Sequence, residues 1–380
     1  MDVTVFGAGI AGLTSAIALR ARGHNCTVYE RSRLAQDAGM GFILVPEGIA
    51  CLERFGVHFS GAFSGRLLEK YLCRDSSGRI VLEHALPEGT RGIRRRELTS
   101  ALMRALGGDE VVVFGPELED LRFGDDSCVV SARMRSDAGT LEIEADLFVA
   151  AEGVNSRARQ VLFPDWPTTA DRVPEIVGLV RCDKAIEWAG HNLNKFHAGE
   201  GGIALGLLPV DQEHVVWYLQ FDAQRFPMSR AMIGGSNREC AAARKAFVEK
   251  LVGKWAHPIP SVLASTDFAR VHLWRPIDTD LIPRFHSGNL VLVGDAAHPL
   301  SPFTSQGVSC AVADAVVLAR ELDGMKSGPE LKEALERYSS ERREQCSPYV
   351  AQGRDLTESF LAPLSIENAV LPIALAMTSE

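Results

Sequence analysis

Asp2-Val-Thr-Val-Phe-Gly7-Ala-Gly9-Ile-Ala-Gly12 is a short apolar run that breaks into three glycines and continues as the helical pattern Ile10 to Arg22. A second apolar run, Cys26 to Tyr29, follows and ends on Glu30. Strand, glycine turn, helix and second strand in this order make one βαβ unit. The glycines fit G-x-G-x-x-G at the opening of the helix. The first two permit a tight turn and close backbone approach to a pyrophosphate on the helix N-terminus, and the third permits helix–strand contact. A carboxylate at Glu30 accepts hydrogen bonds from ribose hydroxyls and disfavours a 2′-phosphate, so the tightly held nucleotide is expected to be the adenosine half of FAD or NAD, not NADP. Gly7, Gly9, Ile10, Ala11, Gly12, Glu30 and Arg31 form the expected contact set.

The rest of the 380-residue chain bounds what this unit serves. That length suits one cofactor-centred body with a substrate subdomain. The formal charge of −9 supplies no basic field for nucleic acid. The eight cysteines lie far apart with no C-x-x-C pair or zinc-like spacing, so no metal site is expected and reduced thiols in the cytoplasm are. A strand from Asp2 leaves no room for a secretion signal, and the later apolar stretches are broken before bilayer length.

Extended runs flank Asp75-Ser-Ser-Gly78, a helix is predicted from Arg95 to about Leu106, and Val111–Phe114, Cys128–Met134, Leu141–Glu144 and Leu147–Ala150 read as strands. Between about 170 and 275 the pattern becomes alternating, with strands at Ile203–Leu208 and His214–Phe221 and a polar loop around Gly234-Gly-Ser-Asn237. Leu290-Val-Leu-Val-Gly294 then returns to the character of the first strand. Helical patterns follow over Gly307–Leu322, Glu330–Tyr349 and Leu364–Met377. Gly199-Glu-Gly201-Gly-Ile-Ala204 leads into a strand ended by Pro209, so it reads as a hairpin and not a second nucleotide turn. The predicted fold is α/β: a Rossmann-type domain of the glutathione-reductase-like kind, with an inserted mixed or antiparallel sheet and C-terminal helices. The nucleotide domain is expected over 1–70, 95–170 and 280–350, the substrate sheet over 71–94 and 171–279, and a C-terminal helix over 351–380.

Leu290-Val-Leu-Val-Gly-Asp-Ala-Ala-His-Pro299, followed by Leu-Ser-Pro302-Phe-Thr-Ser-Gln-Gly307 and a helix, makes a resemblance specific. With the N-terminal fingerprint, the chain resembles the single-component flavoprotein aromatic hydroxylases, the para-hydroxybenzoate hydroxylase-like family. The resemblance implies that Asp295 holds the ribityl chain of FAD and that Gly307 and Val308 offer backbone N–H groups to the pyrimidine edge of the flavin. Asp146-Leu-Phe-Val-Ala-Ala-Glu-Gly-Val-Asn-Ser-Arg-Ala-Arg159 is similar to a third family segment, with Glu152-Gly153 where an Asp-Gly pair is usual. Ile93-Arg-Arg95-Arg-Glu-Leu98 selects Arg95 as a flavin or pyrophosphate contact, and Gly39-Met-Gly41 resembles the glycine-rich segment beside the ring.

The resemblance further implies that NADH or NADPH, bound transiently, reduces FAD, that dioxygen gives a C4a-hydroperoxide, and that oxygen passes to a small, aromatic or heteroaromatic substrate. Pro299 and Pro302 are expected to wall the peroxide side. Phe196, Leu205, Trp217 and Phe303 are the candidate substrate contacts. His298 is read as structural, His197 and His214 have weaker claims, and no general base is assigned. An epoxidase or prenyl-chain reductase would carry the same FAD motifs, a non-catalytic flavin sensor is the rival of another class, and the Trp-x-Trp-x-Ile-Pro signature of flavin halogenases is missing. Oligomeric state is left open.

Overall fold

The computed structural model describes residues 1–31, 41–58, 65–170 and 172–365. Among them the strands are β1 (Asp2–Phe6), β2 (Asn25–Glu30), β3 (Gly41–Leu44), β4 (Arg66–Leu67), β5 (Lys70–Asp75), β6 (Ile80–Ala85), β7 (Arg91–Arg94), β8 (Val112–Phe114), β9 (Glu117–Phe123), β10 (Val129–Ser136), β11 (Gly139–Ile143), β12 (Leu147–Ala150), β13 (Thr169–Ala170), β14 (Glu175–Arg181), β15 (Asn192–His197), β16 (Ile203–Pro209), β17 (His214–Phe221), β18 (His272–Trp274), β19 (Ile277–Asp278), β20 (His286–Ser287) and β21 (Leu290–Leu292). The helices are α1 (Ile10–Ala21), α2 (Pro46–Arg54), α3 (Arg95–Leu106), α4 (Arg157–Leu162), α5 (Asp183–Ala189), α6 (Arg230–Gly234), α7 (Asn237–Val252), α8 (Ile259–Ala264), α9 (Gly307–Glu321) and α10 (Pro329–Leu361).

Two larger sheets carry the architecture. The first has the order β20-β21-β12-β1-β2-β8, and its central strands are parallel, as expected of strands that receive helices on both faces. β12 and β21 are buried throughout, which is why they read as unbroken apolar runs. β1, β12 and β21 lie side by side although 140 residues separate the first two in sequence, because helices and smaller sheets fill the crossovers. The second has the order β18-β14-β17-β16-β15-β5-β6, antiparallel except where β15 runs parallel to β5. The fold is therefore the Rossmann-type α/β body with a mixed sheet layer that the sequence predicts.

Residues 230–264, expected to contribute strands and a polar loop, instead form helices α6 to α8. The start of α7 is a capping box: Ser236 accepts from the Glu239 amide at 3.4 Å while Glu239 accepts from the Ser236 amide at 2.9 Å. These helices cover one face of the second sheet and bury Val248, Val252, Val262 and Leu263 against it. A second difference lies at the C-terminal side. The helix expected to end at Tyr349 runs on to Leu361, because its buried stripe of Leu335, Tyr338, Arg342, Cys346, Gly353, Leu356 and Phe360 continues past Pro348. Pro348 is exposed, so the backbone bond that it removes lies on the solvent side. The helical pattern predicted over Leu364–Met377 falls outside the described residues from 366 onward. Among the described residues no helix is long and apolar enough to cross a membrane, and no group of three potential metal ligands occurs.

The glycine turn is fixed by contact as well as by conformation. Gly7 has φ +103°, and a Cβ on it would stand 2.4 Å from the Ala151 carbonyl oxygen at the end of β12. A Cβ on Gly12 would stand 1.9 Å from the Gly7 carbonyl oxygen. Neither obstacle is a flexible side chain, so Gly12→Ala is expected to cost about 3 kcal/mol and to lower the thermal midpoint by several degrees. An unchanged melting curve would contradict this packing.

Candidate active site

A cavity of about 300 Å³ opens between the N-terminus of α1, the segment 293–311 and one face of the second sheet. Gly9, Ile10 and Ala11 line it. Gly9 is the N-cap of α1 with no side-chain cap, and a Cβ on it would meet no protein atom within 4 Å. The first-turn amides of α1 have no partner within their own helix, which makes this an electropositive backbone surface. Gly7 donates to the Tyr29 carbonyl at 2.7 Å, and Glu30 accepts from the Ala8 amide at 2.9 Å, so the end of β2 is tied to the turn. Arg31, expected among the contacts, makes an exposed ion pair with Glu117 at 2.9 Å, and neither it nor Glu30 lies in the cavity lining. One residue beyond the strand, the long Arg31 side chain reaches solvent.

The far end is built from the turn after β21. Gly294 has φ +58°, and a Cβ there would lie 2.7 Å from Ala11 Cβ, so this turn rests directly on α1. Asp295, Gly307 and Val308 line the cavity, as do Arg95 at the start of α3 and Gly41 at the start of β3. A Cβ on Gly41 would stand 2.7 Å from the Ile93 carbonyl oxygen, so the chain can pass there only as glycine. Gly39 lies outside the described residues. Burial pushes the Asp295 carboxyl above the ordinary carboxylate range, against the pull of His298, Arg95 and Arg159. Ser305 has φ +53°, a left-handed conformation in the turn that leads into α9.

His298 is buried, and its Nε2 lies 2.7 Å from Asp314 Oδ2. Burial opposes its charge, but the Asp314 carboxylate outweighs burial and raises the imidazole well above its ordinary range. It belongs to a structural ion cluster and is not offered to a ligand. His197 and His214 are likewise absent from the lining, and His214 pairs with Asp211 at 3.0 Å. Glu152, in place of the usual aspartate, caps α4: it accepts from the Ser156 hydroxyl at 2.7 Å and from the Arg157 and Ala158 amides at 3.0 and 3.2 Å. Its extra methylene is taken up in reaching that helix. Arg159 is buried and donates to the Asp295 and Ala296 carbonyls at 2.8 and 3.0 Å, so it holds the Asp295 turn from beneath.

The sheet wall shows which face the sequence could not choose. Leu193, Lys195, Leu208, Val216, Tyr218, Gln220, Glu175 and Val177 line the cavity. Phe196, Leu205 and Trp217 are fully buried on the opposite face, beneath α5, α7 and α8, where the Trp217 indole N–H donates to Thr266 at 2.9 Å. Alternation sends neighbouring residues to opposite faces, and the unforeseen helices take the more apolar set. Phe303 and Pro302 do line the cavity, whereas Pro299 is buried behind it.

The unforeseen residues are Lys195, Tyr218, Gln220 and Glu175, with His272 and Trp274 beside them on β18. Lys195 is 2% exposed, and its ammonium lies over the rings of Phe303 (4.9 Å), Phe360 (5.8 Å) and Tyr218 (6.0 Å). Burial lowers its pKa to about 8, with Glu175 pulling the other way. The sequence signal was there: a lysine among the strand residues Asn-Leu-Asn-Lys195-Phe-His, where burial of both faces leaves no route to solvent.

A family model described as an FAD binding domain matches residues 1–352. Among curated relatives, the chain is 29% identical over 370 residues to 3-amino-4-hydroxybenzoate 2-monooxygenase of Streptomyces cremeus, covering 95% of this chain and 88% of that protein. It is 26% identical to aurachin C monooxygenase/isomerase of Stigmatella aurantiaca, with 92% and 87% covered. Among solved structures, Klebsiella pneumoniae HpxO complexed with FAD and uric acid superposes with a TM-score of 0.77 at 23% identity, covering 94% of this chain and 88% of that one.

The buried ammonium generates a stability prediction. Between the folded pKa of about 8 and the ordinary value of 10.5 the unfolded chain binds more protons, so the lysine penalises folding fully below pH 8 and ceases to do so above 10.5. The difference corresponds to about 3 kcal/mol. Lys195→Met is therefore expected to melt several degrees above the parent at pH 7, with the gain shrinking towards pH 10. A variant less stable at pH 7 would contradict the assignment.

Proposed function

The chain belongs to the FAD binding domain family, as a flavoprotein monooxygenase, and from that premise we propose that it uses NADH or NADPH and dioxygen to hydroxylate a small aromatic or heteroaromatic ring in the cavity beside the flavin. One observation carries this reading: a single cavity reaches from the amides of α1, past Asp295 and the start of α9, to an apolar sheet face. Cofactor and substrate thus share one space.

The residues present fit FAD. The bare Cα of Gly9 and the amides of Ile10 and Ala11 suit a pyrophosphate at the helix N-terminus. Glu30 suits the adenosine ribose, and Asp295 the ribityl hydroxyls. The backbone amides of Gly307 and Val308 suit negative charge on the pyrimidine edge of the ring, and Arg95 adds a cation beside it. FAD, when bound, supplies the electron transfer and the activation of dioxygen. The protein's own part is to bind, orient and exclude water. Leu193, Leu208, Val216 and Val177 give the ring an apolar wall, and Pro302 and Phe303 close the opposite side with backbone that the proline stiffens.

Purified protein is expected to retain FAD, to oxidise NADH or NADPH faster with a matching aromatic ligand than without one, and to release a product heavier by one oxygen atom. If no member of an aromatic panel accelerates oxidation of the nicotinamide, or the product gains no oxygen, the hydroxylase reading fails.

A further inference from the structure

The cavity face of the second sheet is ordered in rows. Register places Lys195 of β15 opposite Gly206 of β16, Gly206 opposite Tyr218 of β17, and Tyr218 opposite Val177 of β14. The next row is His197, Ala204, Gln220 and Glu175; the row on the other side is Leu193, Leu208, Val216 and Leu179. The wall thus grades from apolar to polar, with Lys195 and Tyr218 at the boundary.

Gly206 makes the middle row flat. A Cβ on it would fall 2.0 Å from Tyr218 Cζ and 2.4 Å from its hydroxyl oxygen, so the phenol ring lies across the bare backbone towards Lys195. The result is an aromatic floor of the kind a planar ligand stacks on. The Phe303 ring lies 4.9 Å from the same ammonium.

Two polar groups bordering this floor lack the partner their chemistry calls for. Lys195 is buried among rings and, among the described residues, makes no ion pair; the Glu175 carboxylate pulls on it without offsetting its burial and is itself held by Gln220. Ring faces attract a cation but do not satisfy three N–H donors, so the group still calls for an anion. Gln220, 3% exposed, donates its amide N–H to Glu175 at 2.6 Å, which leaves its carbonyl oxygen buried with no hydrogen-bond partner among the described residues. An acceptor left in that state calls for an N–H or O–H. Lys195 and Gln220 stand two strands and one row apart, about 12 Å at the backbone, and the long lysine stem narrows the gap between their polar ends.

We propose that Lys195 is the specificity determinant of the cavity, pairing with a carboxylate on a planar aromatic substrate while the Gln220 side-chain carbonyl accepts from an amino or hydroxyl group on the ring's other edge. This rests on the hydroxylase reading above and adds which two side chains of this chain would select the substrate, and by which of its groups. The buried ammonium, unfavourable for the empty fold, is then retained because the ligand completes it.

The test titrates FAD-loaded protein with aminobenzoates, hydroxybenzoates and quinoline carboxylates, each against its carboxamide, following flavin absorbance and thermal shift. The carboxamide keeps shape and size, removes the charge and exchanges one acceptor oxygen for an N–H donor, which an ammonium cannot use. Carboxylates are expected to bind at least about tenfold more tightly, with the ratio falling to near one in Lys195→Met while FAD content is unchanged. Gln220→Leu should weaken the amino and hydroxy compounds relative to plain benzoate and leave the carboxylate preference intact. Equal binding of acid and amide by the parent protein, no binding of any carboxylate, or a preference that survives in Lys195→Met overturns the proposal. The ratio in the parent protein needs no variant: a value near one overturns the proposal even where Lys195→Met fails to load FAD, and a high value is then assigned between Lys195 and Arg95 by Lys195→Gln. Carboxylate binding without ligand-stimulated nicotinamide oxidation would sink the hydroxylase reading alone; oxygenation confined to uncharged rings would sink the lysine assignment alone.

Discussion

Asp314 lies fully buried on α9, and both ends of its carboxylate are engaged. Oδ2 accepts from the Gly294 amide at 2.6 Å and faces His298 Nε2 at 2.7 Å; Oδ1 accepts from Arg342 Nε at 2.6 Å. Burial alone would raise its pKa, but the histidine and arginine outweigh burial and keep it below the ordinary carboxylate range. Through these contacts the turn after β21, the start of α9 and the long helix α10 become one unit. Arg342 also donates to the Cys310 carbonyl at 3.1 Å, one turn into α9. The positions of Asp295, Pro302, Gly307 and Val308 all follow from this anchoring. Removing one member of such a cluster strands the other charges, a loss typically of about 3–5 kcal/mol.

The buried charges of the molecule divide by what they touch. Arg159, Arg342, Asp314 and Glu152 have their hydrogen bonds supplied by protein, and each fixes a turn or a helix end. Lys195 has aromatic rings instead. The first group describes scaffold. The exception stands on the cavity wall, where a ligand can supply the missing partner, and its cost to the empty protein is the kind of local inconsistency expected of a working site.

Much of the fold was legible because its signals are local. A glycine with positive φ against a carbonyl, an apolar strand buried on both faces and an acid at a strand end each declare themselves within a few residues, so Gly7 to Glu30 and Leu290 to Val308 could be read in advance. The family resemblance added which end of the cofactor each serves. What could not be read depends on partners distant in sequence. β16 is apolar on both faces, and although β17 sets His214, Val216, Tyr218 and Gln220 against the wholly apolar Val215, Trp217, Leu219 and Phe221, nothing within a strand told which face would meet the cavity; helices α5, α7 and α8 decided it by covering the more apolar one. The capping box at Ser236 was a readable start for α7, obscured by the glycines before it. Asp314 carried no signal at all, since an acid inside a helical pattern reads as a solvated face until its three partners are known. Pro299 and Pro302 differ only in which side of one short turn they occupy.

In the function proposed, one cavity holds FAD along the edge of the first sheet with its ring facing the second. A crystal structure of the FAD-loaded protein tests this most directly. It should place the pyrophosphate on the amides at Gly9 to Ala11, the ribityl chain beside Asp295, and the pyrimidine edge of the ring at Gly307 and Val308, with open space between the ring and Tyr218. Density for FAD elsewhere, or a ring turned away from the Lys195–Tyr218 wall, would contradict it.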